Sequence, residues 1–347
     1  MFELIGIVDW IGKIIDGLGL PSVIQQIVLM VLAIGAIIGF LMLMALFLIW
    51  WERKVAAHFQ DRLGPMVTGW HGWLQTIADA IKLLQKEDII ISVADRKVHY
   101  WAPVIAFAAC LAAYAVIPFG DGLIASDLNI GILYILAITS FTVISLLMAG
   151  WGSNNKYALL GGMRSAAQIV SYEVPLTLSI IGVIMMAGTM SMLGFVQEQG
   201  PRIWDWYIWP QFIGFAIYIS AATAELNRTP FDLPEAEQEL VAGFNIEYSG
   251  MKFAMFFLAE FLNMFTVGAV ATTLFLGGWQ PPFPGLAFIP SWIWFLGKSL
   301  FIVFLIMWFK WTYPRLRVDH LMDFAWKVLL PLAFFNIVIT ALGVYLF

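Results

Sequence analysis

With 347 residues, 61% of them hydrophobic, and a mean hydropathy of +0.87, the chain is too apolar for a water-soluble domain. Its apolar runs, repeatedly about 18 residues or longer, read as membrane-spanning helices. The lone cysteine, Cys110 inside an apolar run, excludes an internal disulfide and any iron–sulfur cluster held by this chain alone, and the net charge of −5 matters less than where the charges fall.

From the N-terminus, Met1 to Pro21 carries Glu3, Asp9, Lys13 and Asp16 and lacks the basic start and small-residue cleavage site of a signal peptide, so the first span is expected to direct insertion. Eight spans are predicted, at 23–50, 101–118, 130–150, 167–188, 209–225, 251–276, 291–311 and 326–346. Tryptophans such as Trp50, Trp51, Trp101, Trp151, Trp209 and Trp311 fall at their ends, where the indole ring suits the interface. Of the lysines and arginines, 15 lie in or beside the first, third, fifth and seventh connections, and only Lys13, Arg202 and Lys298 lie on the other side. That bias puts the odd connections in the cytoplasm and both termini on the periplasmic side. The expected fold is all-α and integral to the membrane: one polytopic domain over 1–347, with about eight transmembrane helices and a cytoplasmic-side amphipathic helix.

That helix belongs to the connection 52–100 and is predicted over 70–86. Trp70, Trp73, Leu74, Ile77, Ile81 and Leu84 form one apolar stripe, with Gln75, Asp79, Lys82 and Lys86 on the other side. Such a helix lies along the membrane surface. Asp79 either faces a polar cavity or docked partner, or belongs to a solvated face laced by helical charge pairs. Just before it, Arg62-Leu63-Gly64-Pro65 supplies a turn and an exposed cation.

Ionisable groups inside the spans are rare. Glu173 lies in the fourth span beside Tyr172, with Pro175 two residues on; Glu225 closes the fifth; Glu260 lies three turns into the sixth, with Asn263 on the same face. A charge near the bilayer centre costs at least ~2.5 kcal/mol, so these positions point to an ion or proton pathway facing the protein interior. The competing reading is a neutral carboxyl hydrogen-bonded between helices, or one lying at shallower depth.

The acidic loop 225–250 is the densest polar stretch. From Glu225 to Tyr248 it holds six carboxylates (Glu225, Asp232, Glu235, Glu237, Glu239 and Glu247) and one arginine, Arg228. Asp232-Leu233-Pro234-Glu235 has the form of a capping box, which predicts a helix from Glu235 to Ala242 with Glu235 and Glu239 on one face. Phe231, Leu233, Leu240, Val241 and Phe244 favour a partly buried acidic cluster over a freely solvated loop. Carboxylates so close repel one another, and where water is limited some hold protons near neutral pH.

Nucleotide, flavin, zinc and iron–sulfur motifs are absent, and His58, His71, His99 and His320 fall in cytoplasmic connections, where interfacial or solvent-exposed positions are expected. From the residues alone, two classes survive: an ion-coupled transporter working by itself, or a subunit that couples membrane carboxylates to redox chemistry held by partners. A scaffold would leave the intramembrane glutamates unexplained.

The stretch Glu225-Leu-Asn-Arg-Thr-Pro-Phe-Asp-Leu-Pro-Glu-Ala-Glu-Gln-Glu-Leu-Val-Ala-Gly-Phe-Asn-Ile-Glu-Tyr248 closely resembles the signature of the H-subunit family of bacterial NADH:quinone oxidoreductase, respiratory complex I. The resemblance recurs in Glu52-Arg53-Lys54, in Gln60-x-Arg62-x-Gly64-Pro65, and in Leu74-Gln75 with Ala78-Asp79-Ala80-Ile81-Lys82-Leu83. It continues through Gly150 to Arg164, Ala167-Gln168, Ser171-Tyr172-Glu173-Val174 and Pro314-Arg315-x-Arg317 with Asp319. It departs at Met66 and Trp70 within Gly64-Pro65-Met66-Val67-Thr68-Gly69-Trp70, and at Thr76, Val318 and His320.

Membership in that family would imply a membrane subunit forming one side of a quinone chamber and passing proton coupling onward through glutamates. Carried over by resemblance, Arg62, Gln75, Asp79, Lys82, Glu225, Arg228, Phe231, Asp232 and Glu247 would belong to the chamber. Glu173, Glu225, Glu235, Glu237, Glu239 and Glu260 would carry proton coupling, and Arg164, Arg315, Arg317 and Asp319 would meet partners. The resemblance further implies no cofactor held by this chain alone, quinone as substrate at an interface, and flavin and iron–sulfur clusters in partner subunits of the peripheral arm. It implies small membrane subunits leading to an antiporter-like arm, and location in the bacterial inner membrane. The alternatives are the equivalent subunit of a membrane-bound hydrogenase or formate-hydrogen lyase, and a stand-alone proton-coupled transporter.

Overall fold

Apolar sequence in lipid must satisfy its own backbone, and helices do so locally. The computed structural model describes residues 22–234 and 237–346, and within them helices are the regular elements, with no strand. A helix overlies each predicted span: α1 Ser22–Phe59, α3 Arg96–Ala113, α4 Gly131–Gly152, α5 Lys156–Ala187, α7 Phe212–Glu225, α9 Gly250–Phe275, α10 Ser291–Thr312 and α11 Val318–Leu346. Between them lie α2 Gln75–Gln85, α6 Met192–Glu198 and α8 Glu237–Leu240. Six helices (α1, α4, α5, α9, α10, α11) are long and apolar enough to cross a membrane, and α7 is a shorter apolar helix of 14 residues. The end of the bundle that carries the basic connections is called the basic end below.

Several boundaries differ from expectation. Hydropathy marks where the membrane ends, while a helix continues as long as its backbone is satisfied. So α1 runs nine residues beyond Trp50, through Glu52-Arg53-Lys54 to Phe59, and α5 starts at Lys156, capped by the Asn155 side chain on the Tyr157 amide. The third span is interrupted at Ser140. The surface helix α2 starts at Gln75 rather than at residue 70. Trp70–Gly72 forms a separate short turn because Gly69, His71 and Gly72 take left-handed φ values of 74°, 53° and 76°. The helix expected over 235–242 ends at Leu240, since Val241 takes φ 64°, and its start at Glu235 lies outside the described residues.

Helices α5 and α9 are the most buried of the long ones and organise the rest. α5 packs on α4, α7 and α11; α9 packs on α10, α3, α1 and α2. Small residues permit the closest approaches, as membrane packing requires. A methyl at Gly161 on α5 would stand 2.7 Å from the Gly243 Cα. This contact seats the segment after α8 directly against α5.

Candidate functional site

The described chain encloses a cavity of about 700 Å³ between α1, α4, α5, α7, α9 and α10. Arg53 and Arg62 line it at the basic end; Glu52, Arg228, Glu260 and Lys310 line its middle; Ile132, Ile180 and Val270 line the far end. Along α9 its lining runs from Phe253 to Val270, which at 1.5 Å per residue is about 25 Å of helix.

Four elements deliver one ionic cluster to the middle. Glu52 comes from α1, Glu260 from α9 and Lys310 from α10. Arg228 comes from the connection after α7 and is 3% exposed. Its Nη1 donates to both Glu52 oxygens at 2.8 and 2.9 Å, and its Nε lies 2.8 Å from Glu260 Oε1. Lys310 Nζ donates to Glu52 Oε1 at 2.5 Å. The guanidinium also sits over the Phe261 ring, 4.7 Å from its centroid. Two carboxylates against two cations balance, which is how buried charge is tolerated at all.

The loop that carries Arg228 is folded back by polar side chains of α5. Asn227 takes a left-handed φ of 52°, which asparagine tolerates, and donates to Ser165 Oγ at 3.1 Å. Gln168 Nε2 donates to the Ala224 carbonyl at 2.7 Å, the Phe231 carbonyl at 2.8 Å and Asn227 Oδ1 at 3.1 Å. The chain is thereby turned so that Arg228 enters the cavity.

A second acidic pair comes from α7 and α5. Glu225 lines the cavity, and Glu173 is near enough for the two charges to interact. Ser140, at the break in α4, donates a short hydrogen bond to Glu173. One turn beyond Glu260, Asn263 lines the cavity with its Oδ1 buried and without a hydrogen-bond partner among the described residues. Among the described residues, no three histidine, cysteine or acidic side chains gather in a way that suits a metal ion.

Of the chamber residues named from the sequence, Arg62, Glu225 and Arg228 line this cavity, and the others point elsewhere. Asp79 pairs with Arg53 at 2.7 Å and Lys82 at 3.6 Å and accepts from Gln75, which itself accepts from Thr68 at 2.7 Å. Burial alone would raise the Asp79 carboxyl, but the Arg53 hydrogen bond and charge, with Gln75 and Lys82, hold it below its ordinary value. Phe231 packs between Tyr172 and Phe324. Asp232 pairs with Arg315 at 2.9 Å; burial raises its carboxyl, with Arg315, Lys310 and Arg228 partly offsetting that.

Among the proton-coupling candidates, Glu239 pairs with Arg164 at 2.6 Å, Glu235 and the Glu237 side chain lie outside the described residues, and Glu247, named with the chamber, accepts from Asn155 at 2.6 Å. Among the described residues, the acidic stretch is therefore not one cluster. The turns at Val241 and Gly243, with φ of 64° and 56°, send Asp232, Glu239 and Glu247 to separate partners. At the last connection, Arg317 and Asp319 form an exposed pair at 3.2 Å.

The NADH dehydrogenase family profile matches residues 32–341. The NADH-quinone oxidoreductase H subunit of Brevibacillus brevis is 52% identical over 318 residues, covering 92% of this chain and 93% of that protein. The H subunit of Carboxydothermus hydrogenoformans is 50% identical, covering 93% and 91%. The second H subunit of Geobacter metallireducens is 47% identical, covering 95% and 99%. The chain belongs to the H-subunit family of NADH-quinone oxidoreductases. It is a multi-pass membrane component of that enzyme complex.

Two members of the ionic cluster in this H subunit escaped the sequence reading as site residues. Glu52 follows Trp50-Trp51, which mark a span end, so it reads as an interfacial charge, yet it is 7% exposed. Lys310 reads as one more positive flank. The available signal was a carboxylate immediately after a tryptophan pair, in a protein with few charges. His99, expected at the interface or in solvent, is 1% exposed and stacks on the Tyr248 ring at 4.1 Å, because the connection carrying Tyr248 folds over the start of α3.

Proposed function

We propose that the cavity is the membrane-side part of a quinone chamber and that its carboxylates couple quinone reduction to proton translocation. The observation that carries this reading is the cluster of Glu52, Arg228, Glu260 and Lys310, which lines a cavity that opens among Arg53 and Arg62 and continues to Glu225. The relatives' names supply the quinone and the complex. On this reading the basic end faces the cytoplasm, where the lysine and arginine bias places it, and both termini lie on the periplasmic side. Peripheral-arm subunits holding flavin and iron–sulfur clusters meet that face, with Arg164, Arg315, Arg317 and Asp319 at or near the contact.

Charge appearing in the chamber as quinone is reduced changes the energy of every nearby carboxylate, because coupled sites titrate together. Glu260, sharing Arg228 with Glu52, receives that change, and Glu225 with Glu173 passes it on. Gln75, Asp79, Lys82, Phe231, Asp232 and Glu247 act one layer back, by holding the surface helix and the loops that wall the chamber. Glu235, Glu237 and Glu239 complete the acidic approach.

The test is Glu260→Gln in the whole complex. Glutamine keeps an acceptor for Arg228 but cannot ionise, so assembly persists while proton-coupled quinone reduction falls. Unchanged coupled turnover in an assembled variant would rule out a proton-carrying role for this side chain.

A further inference from the structure

The two ends of the cavity differ in kind. At the basic end its lining includes the exposed Arg62 and the partly exposed Arg53. At the other end it is lined by Ile132 and Ile135 from α4, Ile180 from α5 and Val270 from α9, none more than 4% exposed. Their depth follows from the chain: α4 enters from the opposite side at Gly131, while Ile180 and Val270 come late on α5 and α9. Tyr218 reaches the same level from α7, where its single hydroxyl hydrogen is committed to the Val267 carbonyl at 3.1 Å.

The next buried polar group on α7's side is Gln211, seven residues earlier and so about 10 Å further along the helix direction. It is closed on itself, donating to Thr340 at 2.6 Å and accepting from Asn336 at 2.8 Å. An apolar layer therefore separates the acidic cavity from the polar groups of the opposite end.

We propose that Ile132, Ile135, Ile180 and Val270 form an insulating collar that blocks proton passage from the cavity to the opposite membrane face. The cavity lining spans about 25 Å of α9 in a hydrocarbon core about 30 Å thick, so without such a layer it would nearly short-circuit the membrane. Apolar voids stay dry, and hydrophobic constrictions stop ions by excluding water. A proton then has no hydrogen-bonded chain to follow past Val270, and must leave the Glu225–Glu173 level sideways. This rests on the reading of the cavity as a proton path.

The test uses the whole complex in sealed inside-out membrane vesicles, with turnover blocked by a quinone-site inhibitor. The decay of an imposed pH gradient is followed, and assembly is checked by subunit and flavin content. Val270→Asp is expected to speed the decay severalfold. Ile180→Thr/Val270→Thr, which keeps the branched side chains while adding two hydroxyls, gives a smaller increase, and Val270→Ile gives none. If Val270→Asp does not assemble, the double threonine variant decides. An assembled polar variant that holds the gradient like the parent overturns the collar. Because leak is read without turnover, it does not depend on whether Glu260 carries protons. Normal coupled turnover in Glu260→Gln would sink the pathway and leave the leak result standing.

Discussion

Removing the shared cation of the central cluster gives the sharpest test of how it is held. Arg228→Met takes away one of two cations that face the buried Glu52 and the partly exposed Glu260. Breaking a buried pair costs about 3–5 kcal/mol, because the partner is left uncompensated. Here Glu52 keeps Lys310 at 2.5 Å and the Glu260 side chain is 24% exposed, so the penalty falls mainly on Glu260 and the lower figure applies. About 3 kcal/mol is roughly a hundredfold in the competent fraction, at about 1.4 kcal/mol per decade. Native electrophoresis of gently solubilised membranes, with the thermal dissociation midpoint of the complex, should show a marked loss. Adding Glu260→Gln removes the stranded charge and should recover most of it. Arg228→Lys should be intermediate, since one ammonium cannot reproduce the fork in which Nη1 serves Glu52 and Nε serves Glu260. Parental assembly in Arg228→Met, or a double variant no better than the single, would refute this account.

Gly161→Ala should cost about 1–3 kcal/mol by overpacking, because its methyl would meet Gly243 and the Phe244 amide at 2.7 and 2.8 Å; protease resistance of the 241–248 segment is the readout. Gln168→Leu keeps the bulk but removes two donations, to the Ala224 and Phe231 carbonyls, which retain the Asn227 and Leu233 amides; at about 0.5–1.5 kcal/mol per bond lost it should lower the thermal dissociation midpoint of the complex. An unchanged midpoint would show that packing, not donation, holds the loop. Asp79→Asn should weaken docking of α2 by under about 1 kcal/mol, since Arg53 is 40% exposed and water screens the pair. Asp79 is depressed when folded, so its contribution is present above its ordinary value of 3.8 and is lost as pH falls through the lower folded value. Hydrogen exchange of residues 75–85 should show that acid-side loss in the parent and not in Asp79→Asn.

How much was readable depends on which signal reports each feature. Hydropathy integrates over a whole span, so a helix lies at each of the eight positions it marked, and among the described residues six of these are long and apolar enough to cross a membrane. It does not report helix ends, which is why Glu52 on the extended α1 and Lys156 at the start of α5 were placed outside helices. The late start of α2 was legible in principle, since Gly69 and Gly72 flank the tryptophan turn, but the apolar stripe through Trp70 and Trp73 obscured it. Within the site, Glu225 and Glu260 stood out because a charge in lipid is costly. Which cation each carboxylate meets is a tertiary fact: Glu52 and Arg228 are 176 residues apart, and Glu52 and Lys310 258 apart. The spread of the acidic stretch over separate partners was likewise hidden, because it depends on backbone turns at Val241 and Gly243.

Adjacent residues on α1 tie the buried cluster to the surface. Glu52 points inward to Arg228 and Lys310, whereas Arg53 points to Asp79 on α2, and both side chains hang from the same helical turn. A rotation or translation of α1 therefore cannot change one set of bonds without straining the other. On the proposed reading, a proton reaching Glu52 or Glu260 upsets a balance of two charges against two, and the cheapest relief is a shift in how Arg228 divides itself between α1 and α9. Such a shift would be felt at α2 through Arg53 and at the cavity wall through the loop pinned by Gln168. A rigid element with two discrete bonding arrangements is the physical requirement for coupling across a distance. Here α1 supplies the element, and the two carboxylates sharing one guanidinium supply the alternatives.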